Sequence, residues 1–228
     1  AATGASVSVP ANALVAAGGG AAPATADVRV TAIDIGSDSN LLSGDFTDSS
    51  GTQVQAYGSV VLSSSTALDV VGGQLLTLQI PLSNRSALTP ASATLYYLDV
   101  ATGRWVADGS ANLVAGAQPH YTADVTRFAQ WMVGTAITAT QTVSGCVLDD
   151  AGAPAANVRI AADGINYSSI AYTTTNAQGQ FTLQLPTSSR TAVQGRRGAF
   201  LTNATAVDVQ SVPISLLTCL TIPTTNAA

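Results

Sequence analysis

Asn176-Ala177-Gln178-Gly179-Gln180-Phe181-Thr182-Leu183-Gln184-Leu185 decides the fold. A turn signal at Asn176–Gly179 leads into six residues in which Phe181, Leu183 and Leu185 alternate with Gln180, Thr182 and Gln184. Period two puts one set on a buried sheet face and the other toward solvent. The turn reads as a hairpin that points Phe181 inward. The pattern recurs outward along the chain, at Asp27–Ile33, Gln74–Ile80, Ala93–Leu98, Val143–Leu148 and Val158–Ile160. Turn signals separate the runs at Gly72-Gly73, Ala101-Thr102-Gly103 and Asp150-Ala151-Gly152. No helical period exceeds two turns. The expectation is an all-β chain of two tandem antiparallel β-sandwich domains, 1–136 and 137–228. Trp131-Met132-Val133 ends one pattern and Thr142–Cys146 begins the next. The join between them is short, rich in Thr and Ala and free of proline, which predicts two domains in close contact.

Composition agrees. The chain has neither lysine nor glutamate, the residues that usually clothe exposed helix faces. Hydrophobic residues make up 46%, enough to exclude a disordered chain. Charged residues make up only 9%, against roughly 25% in ordinary globular proteins. Few charges remain to hold neighbouring molecules apart, which suits a packed fibre or layer as well as an ordinary soluble domain. The net charge of −5 and the single adjacent pair Arg196-Arg197 argue against nucleic acid as a partner.

Cys146 and Cys219 lie about 73 residues apart with no CxxC and no histidine nearby. They read as a structural disulfide formed in an oxidising compartment; the alternative is two separate buried thiols in a cytosolic protein. No apolar run reaches the length of a membrane helix, so no membrane span is expected. The Ala/Gly stretch from Ala11 to Ala26 is broken by Gly18-Gly19-Gly20 and Pro23 and reads as a loop. The start at Ala1-Ala2 reads as a mature or trimmed chain.

Val143–Pro154, Asn157–Ile160 and Thr173–Leu183 together resemble the carboxypeptidase-regulatory-like, or transthyretin-like, β-sandwich modules. In this pattern a strand ends in an Asp-x-x-Gly-x-Pro turn at Asp149–Pro154, where glycine supplies a positive φ and proline presets the exit. The resemblance implies an appendage on a secreted or surface protein, generally without catalysis. Val7–Leu14, Ser43–Phe46, Asp99–Trp105 and Tyr121–Trp131 resemble, more loosely, a β domain found in bacterial surface proteins and cartilage intermediate layer protein, related in pattern to ankyrin- and netrin-receptor-type β domains. In Asp99-Val100-Ala101-Thr102-Gly103-Arg104-Trp105 the aspartate caps a turn, glycine takes positive φ and tryptophan returns to the core. Trp105 and Trp131 are expected as core anchors, with a sugar-stacking surface as the alternative. One relative of that domain cleaves itself at His-Phe-Ser; this chain has Arg127-Phe128-Ala129 there. Alanine offers no hydroxyl nucleophile, so the chain is expected to stay whole, as an intact-mass measurement would show.

Catalytic groups are scarce. His120 is the only histidine, and no Gly-x-Ser-x-Gly accompanies the Ser/His/Asp set imaginable with Asp124. Asp45/Asp48 and Asp149/Asp150 read as turn caps, not as a glycosidase acid/base pair. One histidine and two distant cysteines cannot make a zinc site. The aspartates between Asp34 and Asp48 offer hard oxygen ligands for calcium but lack EF-hand spacing, so an Asp-rich loop closed by its own Asx bonds is the competing reading. Sequons at Asn84, Asn166 and Asn203 are explained by abundant Ser and Thr.

The expectation is therefore a non-enzymatic structural module, extracellular or at the cell surface, without metal or cofactor. It would belong to an appendage, fibre or adhesive layer, with other copies or other surface proteins as partners. Ala5–Pro10 alternates like a strand and could complete a neighbour's sheet by β-strand addition, or serve as the first strand of its own. The alternatives are a carbohydrate-binding module, drawing on Tyr57, Tyr96, Tyr97, Tyr167 or Tyr172, or an accessory domain of a secreted enzyme. Adjacent Tyr96 and Tyr97 should leave one ring facing outward.

Overall fold

The computed structural model describes residues 4–224; residues 1–3, with Ala1-Ala2, and 225–228 lie outside the described residues. The chain divides into two compact units, Ala1–Ala136 and Ile137–Ala228. It is all-β, the one helical element among the described residues being a 3-10 turn at Ser39–Leu41.

The first unit holds β1 (Ser6–Ser8), β2 (Leu14–Ala16), β3 (Val28–Ile33), β4 (Val54–Ser64), β5 (Leu68–Val70), β6 (Leu76–Pro81), β7 (Ser92–Asp99), β8 (Arg104–Val114), β9 (His120–Val125) and β10 (Gln130–Ala136). Eight of these form one antiparallel sheet in the order β1-β6-β9-β8-β7-β10-β4-β3, and β2 pairs separately with β5. The sheet curls over on itself. Leu76 and Leu78 of β6 share one buried cluster with Val60 and Leu62 of β4, although four strands separate them in the sheet. The Ser83 amide donates to the Tyr57 carbonyl at 2.8 Å, joining the far end of β6 to β4.

Alternation explains β6 and β9, but β4 and β10 are buried on both faces. In β10, Trp131 and Val133 face the main cluster, so Met132 between them points to the opposite side, where it pairs in register with Tyr96 of β7. That second side also excludes water, since Met132 and Tyr96 are both buried. Ile35, Leu42 and Phe46, from the long connection between β3 and β4, are likewise buried outside the main cluster. Trp105 fastens this connection to β8: its indole Nε1 donates to the Asp45 carbonyl at 2.9 Å, and its own carbonyl accepts from the Ser49 amide at 2.8 Å.

The second unit holds β11 (Thr140–Asp149), β12 (Arg159–Gly164), β13 (Ile170–Thr174), β14 (Gln180–Pro186), β15 (Ser189–Arg197), β16 (Phe200–Leu201), β17 (Thr205–Val209), β18 (Ile214–Ser215) and β19 (Leu220–Ile222). One sheet places β11 between β14 on one side and β18 and β19 on the other. The other runs β13-β12-β15, with β16 and β17 both on β15. Val143, Val147, Phe181 and Leu183 from the first meet Ile160, Val193, Val207 and Val209 from the second in a single core. That is a β-sandwich.

Two details depart from the sequence reading. The turn at Asn176–Gly179 is not a hairpin: β13 pairs with β12 and β14 pairs with β11, so the turn carries the chain from one sheet to the other. Thr175 makes the crossing, its buried hydroxyl donating to the Ala155 carbonyl at 2.7 Å and accepting from the Val158 amide at 2.9 Å. The pairing is also not wholly antiparallel, because β18 and β19 run parallel to β11.

Candidate functional site

The turn at Asp99 forms as its sequence dictates. Asp99 accepts from the Ala101 amide at 3.0 Å and from the Thr102 hydroxyl at 2.8 Å, Gly103 takes φ 68°, and Trp105 is 0% exposed. In the second unit Asp149 accepts from the amides of Ala151 and Ala153, closing the turn before Pro154. Its neighbour Asp150 accepts from Thr224. Asp99 and Asp149 thus serve as turn caps, whereas Asp150 departs from that reading and ties the distant Thr224 to the turn.

The aspartates between Asp34 and Asp48 are tied in the same way. Asp34 accepts from the Ser83 hydroxyl at 2.6 Å, Asp38 from the Asn40 amide at 2.9 Å, and Asp48 from the amides of Ser50 and Thr52. Asp45 pairs with Arg104 at 3.6 Å. Among the described residues no three His, Cys, Asp or Glu side chains gather as metal ligands would. The Ser83 hydroxyl holds the Asp34 carboxyl below the usual range, and the Asn40 side chain does the same for Asp38. Asp99 and Asp150 are lowered chiefly by the Thr102 and Thr224 hydroxyls. A carboxyl whose folded pKa lies below its unfolded value stabilises the fold above the unfolded pKa and loses that contribution as pH falls through the folded one. The melting temperature should hold from pH ~7 to ~5 and fall below pH ~4. A melting series across that range checks this, and a flat profile down to pH ~2 would contradict it.

His120 begins β9 with its Nδ1 3.0 Å from the Gln118 carbonyl, while Asp124 accepts from Thr77 at 2.8 Å. A cleft in the second unit is lined by Asn166, Ser188, Ser189, Arg190 and Asp208, with Arg190 3.4 Å from Asp208. Burial pushes the hydroxyls of Tyr121 and Tyr167 up to about 12. At the Arg127-Phe128-Ala129 position, Arg127 lies 3.5 Å from Asp108 and stacks over Tyr97, and the Ala129 carbonyl accepts from the Leu62 amide. The sequon residue Asn166 accepts from the Arg190 amide, and Ser168 of the same sequon is fully buried.

The aromatic residues do not form a stacking face. Tyr57, Tyr96 and Tyr167 are buried, and Tyr57 and Tyr167 also bond to Thr135 and Thr191. The expectation of an outward ring from Tyr96-Tyr97 fails: Tyr96 is buried on the second side of the sheet, and Tyr97 packs edge-on to Trp131 at 5.9 Å beneath Arg127. Only Tyr172 of the five is exposed, and Arg159 lies 4.1 Å over its ring. Trp105 and Trp131 are both 0% exposed. Their fluorescence should therefore be blue-shifted, weakly quenched by acrylamide and unchanged by soluble glycans. Strong quenching would contradict the burial.

What the structure does present is open sheet edges. The eight-stranded sheet ends at β1 and β3; the second unit's sheets end at β14 and, on the other side, β18 and β19, and at β13 and, on the other side, β16 and β17. β1, β13 and β14 carry no charged residue, whereas β3 carries Arg29 and β17 carries Asp208. Cys146 and Cys219 are joined, closing the gap between β18 and β19 where the strand beside β11 is interrupted at Leu216–Cys219. Local alternation marks these strands as strands, but only the pairing order reveals which of them are edges.

No family model matches the chain, and no curated protein matches it. A solved structure to which it is similar is that of a mutant of the shaft pilin SpaA from Lactobacillus rhamnosus GG, at 10% identity and a TM-score of 0.30, covering 89% of this chain and 85% of the pilin. A likeness of that degree bears on neither activity nor assembly. No helix among the described residues is long and apolar enough to cross a membrane.

Proposed function

We propose that this chain is a non-catalytic structural module of the cell exterior that packs with its own copies in a fibre, appendage or layer. The observation that carries this is the uncharged sheet edge. An edge strand exposes unpaired backbone donors and acceptors, and proteins that stay solitary blunt it with lysine, proline or an inward charge. Here β1 (Ser-Val-Ser), β13 (Ile-Ala-Tyr-Thr-Thr) and most of β14 (Gln-Phe-Thr-Leu-Gln-Leu-Pro) have no such guard apart from Pro186 at the very end. A chain in which charged residues make up only 9% adds little repulsion against a neighbour. Extracellular placement is supported by the Cys146–Cys219 bond, which persists in oxidising compartments.

Contacts between copies are non-covalent in this reading. The chain has no lysine amine to form an amide cross-link, and its two cysteines are already paired with each other. The second unit, with its Asp149 and Asn176 turns and two facing sheets, serves as a transthyretin-like appendage sandwich. The first acts as the surface-protein β domain that it resembles. The glycan reading lacks a platform once the tyrosines are placed. Negative-stain electron microscopy of concentrated protein tests the proposal. Filaments or ordered sheets are expected; dispersed single particles at every concentration would overturn it.

A further inference from the structure

Residues 4–21 form an arm that docks on one short stretch of the rest of the unit. β1 pairs only with β6, in the register Ser6↔Gln79, Val7↔Leu78 and Ser8↔Thr77. β2 pairs only with β5. The Ala17 amide donates to the Ala67 carbonyl, the Val71 amide to the Ala13 carbonyl, and the Gly18 amide to the Asp69 carboxylate. These partners all fall within residues 67–79. The arm also seals the core: Ala13 is 1% exposed within the main cluster, and Ala5, Val7 and Leu14 pack against it.

The chain then leaves for the opposite edge of the sheet, where β3 pairs with β4. Residues 22–26 between them are all exposed and belong to no strand. Ala22-Pro23 begins this tether, and proline holds its own φ and biases the preceding residue toward extended backbone. Five residues extended span about 17 Å, enough to hand the arm to an adjacent molecule. Vacating the slot would uncover Leu76 and Leu78, so the slot requires an occupant, and the same arm from another copy restores every contact.

Resting on the assembly reading above, we infer that residues 4–21 are exchanged between copies of this chain, Ser6–Ser8 of one copy completing the β6 edge of the next. Because donor arm and acceptor slot are different surfaces, each copy gives to one neighbour and receives from another in an open head-to-tail chain; two copies trading arms would instead close as a dimer and give no ladder beyond it.

A cross-linking experiment tests this. In a variant carrying Ser6→Cys and Gln79→Cys, both at exposed positions, the two thiols face each other across the β1–β6 pair. The native cysteines are oxidised and do not compete. A short bis-maleimide applied to the concentrated, assembled protein should give a ladder of dimers, trimers and higher species on a denaturing gel, with each single variant giving no ladder. Bridging confined to one chain would overturn the exchange. If microscopy still showed filaments beside such intrachain bridging, the assembly reading would stand while the exchange fell; dispersed particles with intrachain bridging would remove both.

Discussion

Gly179→Ala is expected to lower the melting transition of the second unit by on the order of 15–20 °C. Gly179 sits at φ 71°, where a β-carbon costs about 1–2 kcal/mol. A Cβ there would also collide with the Val147 carbonyl oxygen, which already accepts from the Ala155 amide at 2.9 Å, and would press the Ala155 nitrogen at 3.0 Å. Both neighbours are backbone, held by β11 and by the Pro154 turn, so neither can rotate aside. Forcing them apart adds about 1–3 kcal/mol, for a total of about 2–5 kcal/mol. Calorimetry would show a displaced second-unit transition beside an unchanged first one. A shift under ~3 °C would mean that the turn yields more easily than this geometry allows.

Loss of the Cys146–Cys219 bond should be comparable in size. On the chain-entropy account, releasing a loop with a sequence separation of 73 costs roughly 4 kcal/mol. The local consequence is specific, because β19 rests on three register pairs with β11 and supplies Leu220 and Ile222 to the core. Substituting both cysteines by alanine should therefore lower the second unit's melting temperature by about 15–25 °C. Amides of Leu220–Ile222 should exchange with solvent well before those of β12 and β15. The first unit contains no cysteine and should melt as before. An unaltered second transition would show that packing alone holds the last strand.

The strands that alternate cleanly were legible, among them Val28–Ile33 and Gln180–Pro186, because one face of each meets a core and the other is more open to water. The Asp99 turn was legible down to its hydrogen bonds, since a short polar side chain, a glycine and a returning tryptophan fix it locally. β4 was not: Val54, Ala56, Tyr57, Ser59 and Val60 are all buried, so period two disappears where both faces are covered. The long connection between β3 and β4 likewise buries Ile35, Leu42 and Phe46 outside the main cluster, where no strand period marks them. Burial on the second side of β7 defeated the expectation of an outward tyrosine. The supposed hairpin at Asn176–Gly179 failed for a different reason. A tight turn specifies the reversal of the chain, while the partner strand is chosen by residues far away, here by Thr175 reaching back to Ala155 and Val158. Of the candidate site, sequence reading found the cysteine pair and the strand character of β1, but edges and docking slots exist only once strands are ordered in a sheet.

Because β19 runs parallel to β11, the start of β11 at Thr140 and the end of β19 at Ile222 lie at opposite ends of their pair. Tension applied to those two residues pulls the strands lengthwise past each other, straining their backbone bonds together instead of peeling them one at a time. The sulfur bridge removes the chain between Cys146 and Cys219 from whatever lengthening follows, withholding roughly 250 Å of slack. The second unit is thereby built to carry load between those two points with little stretch.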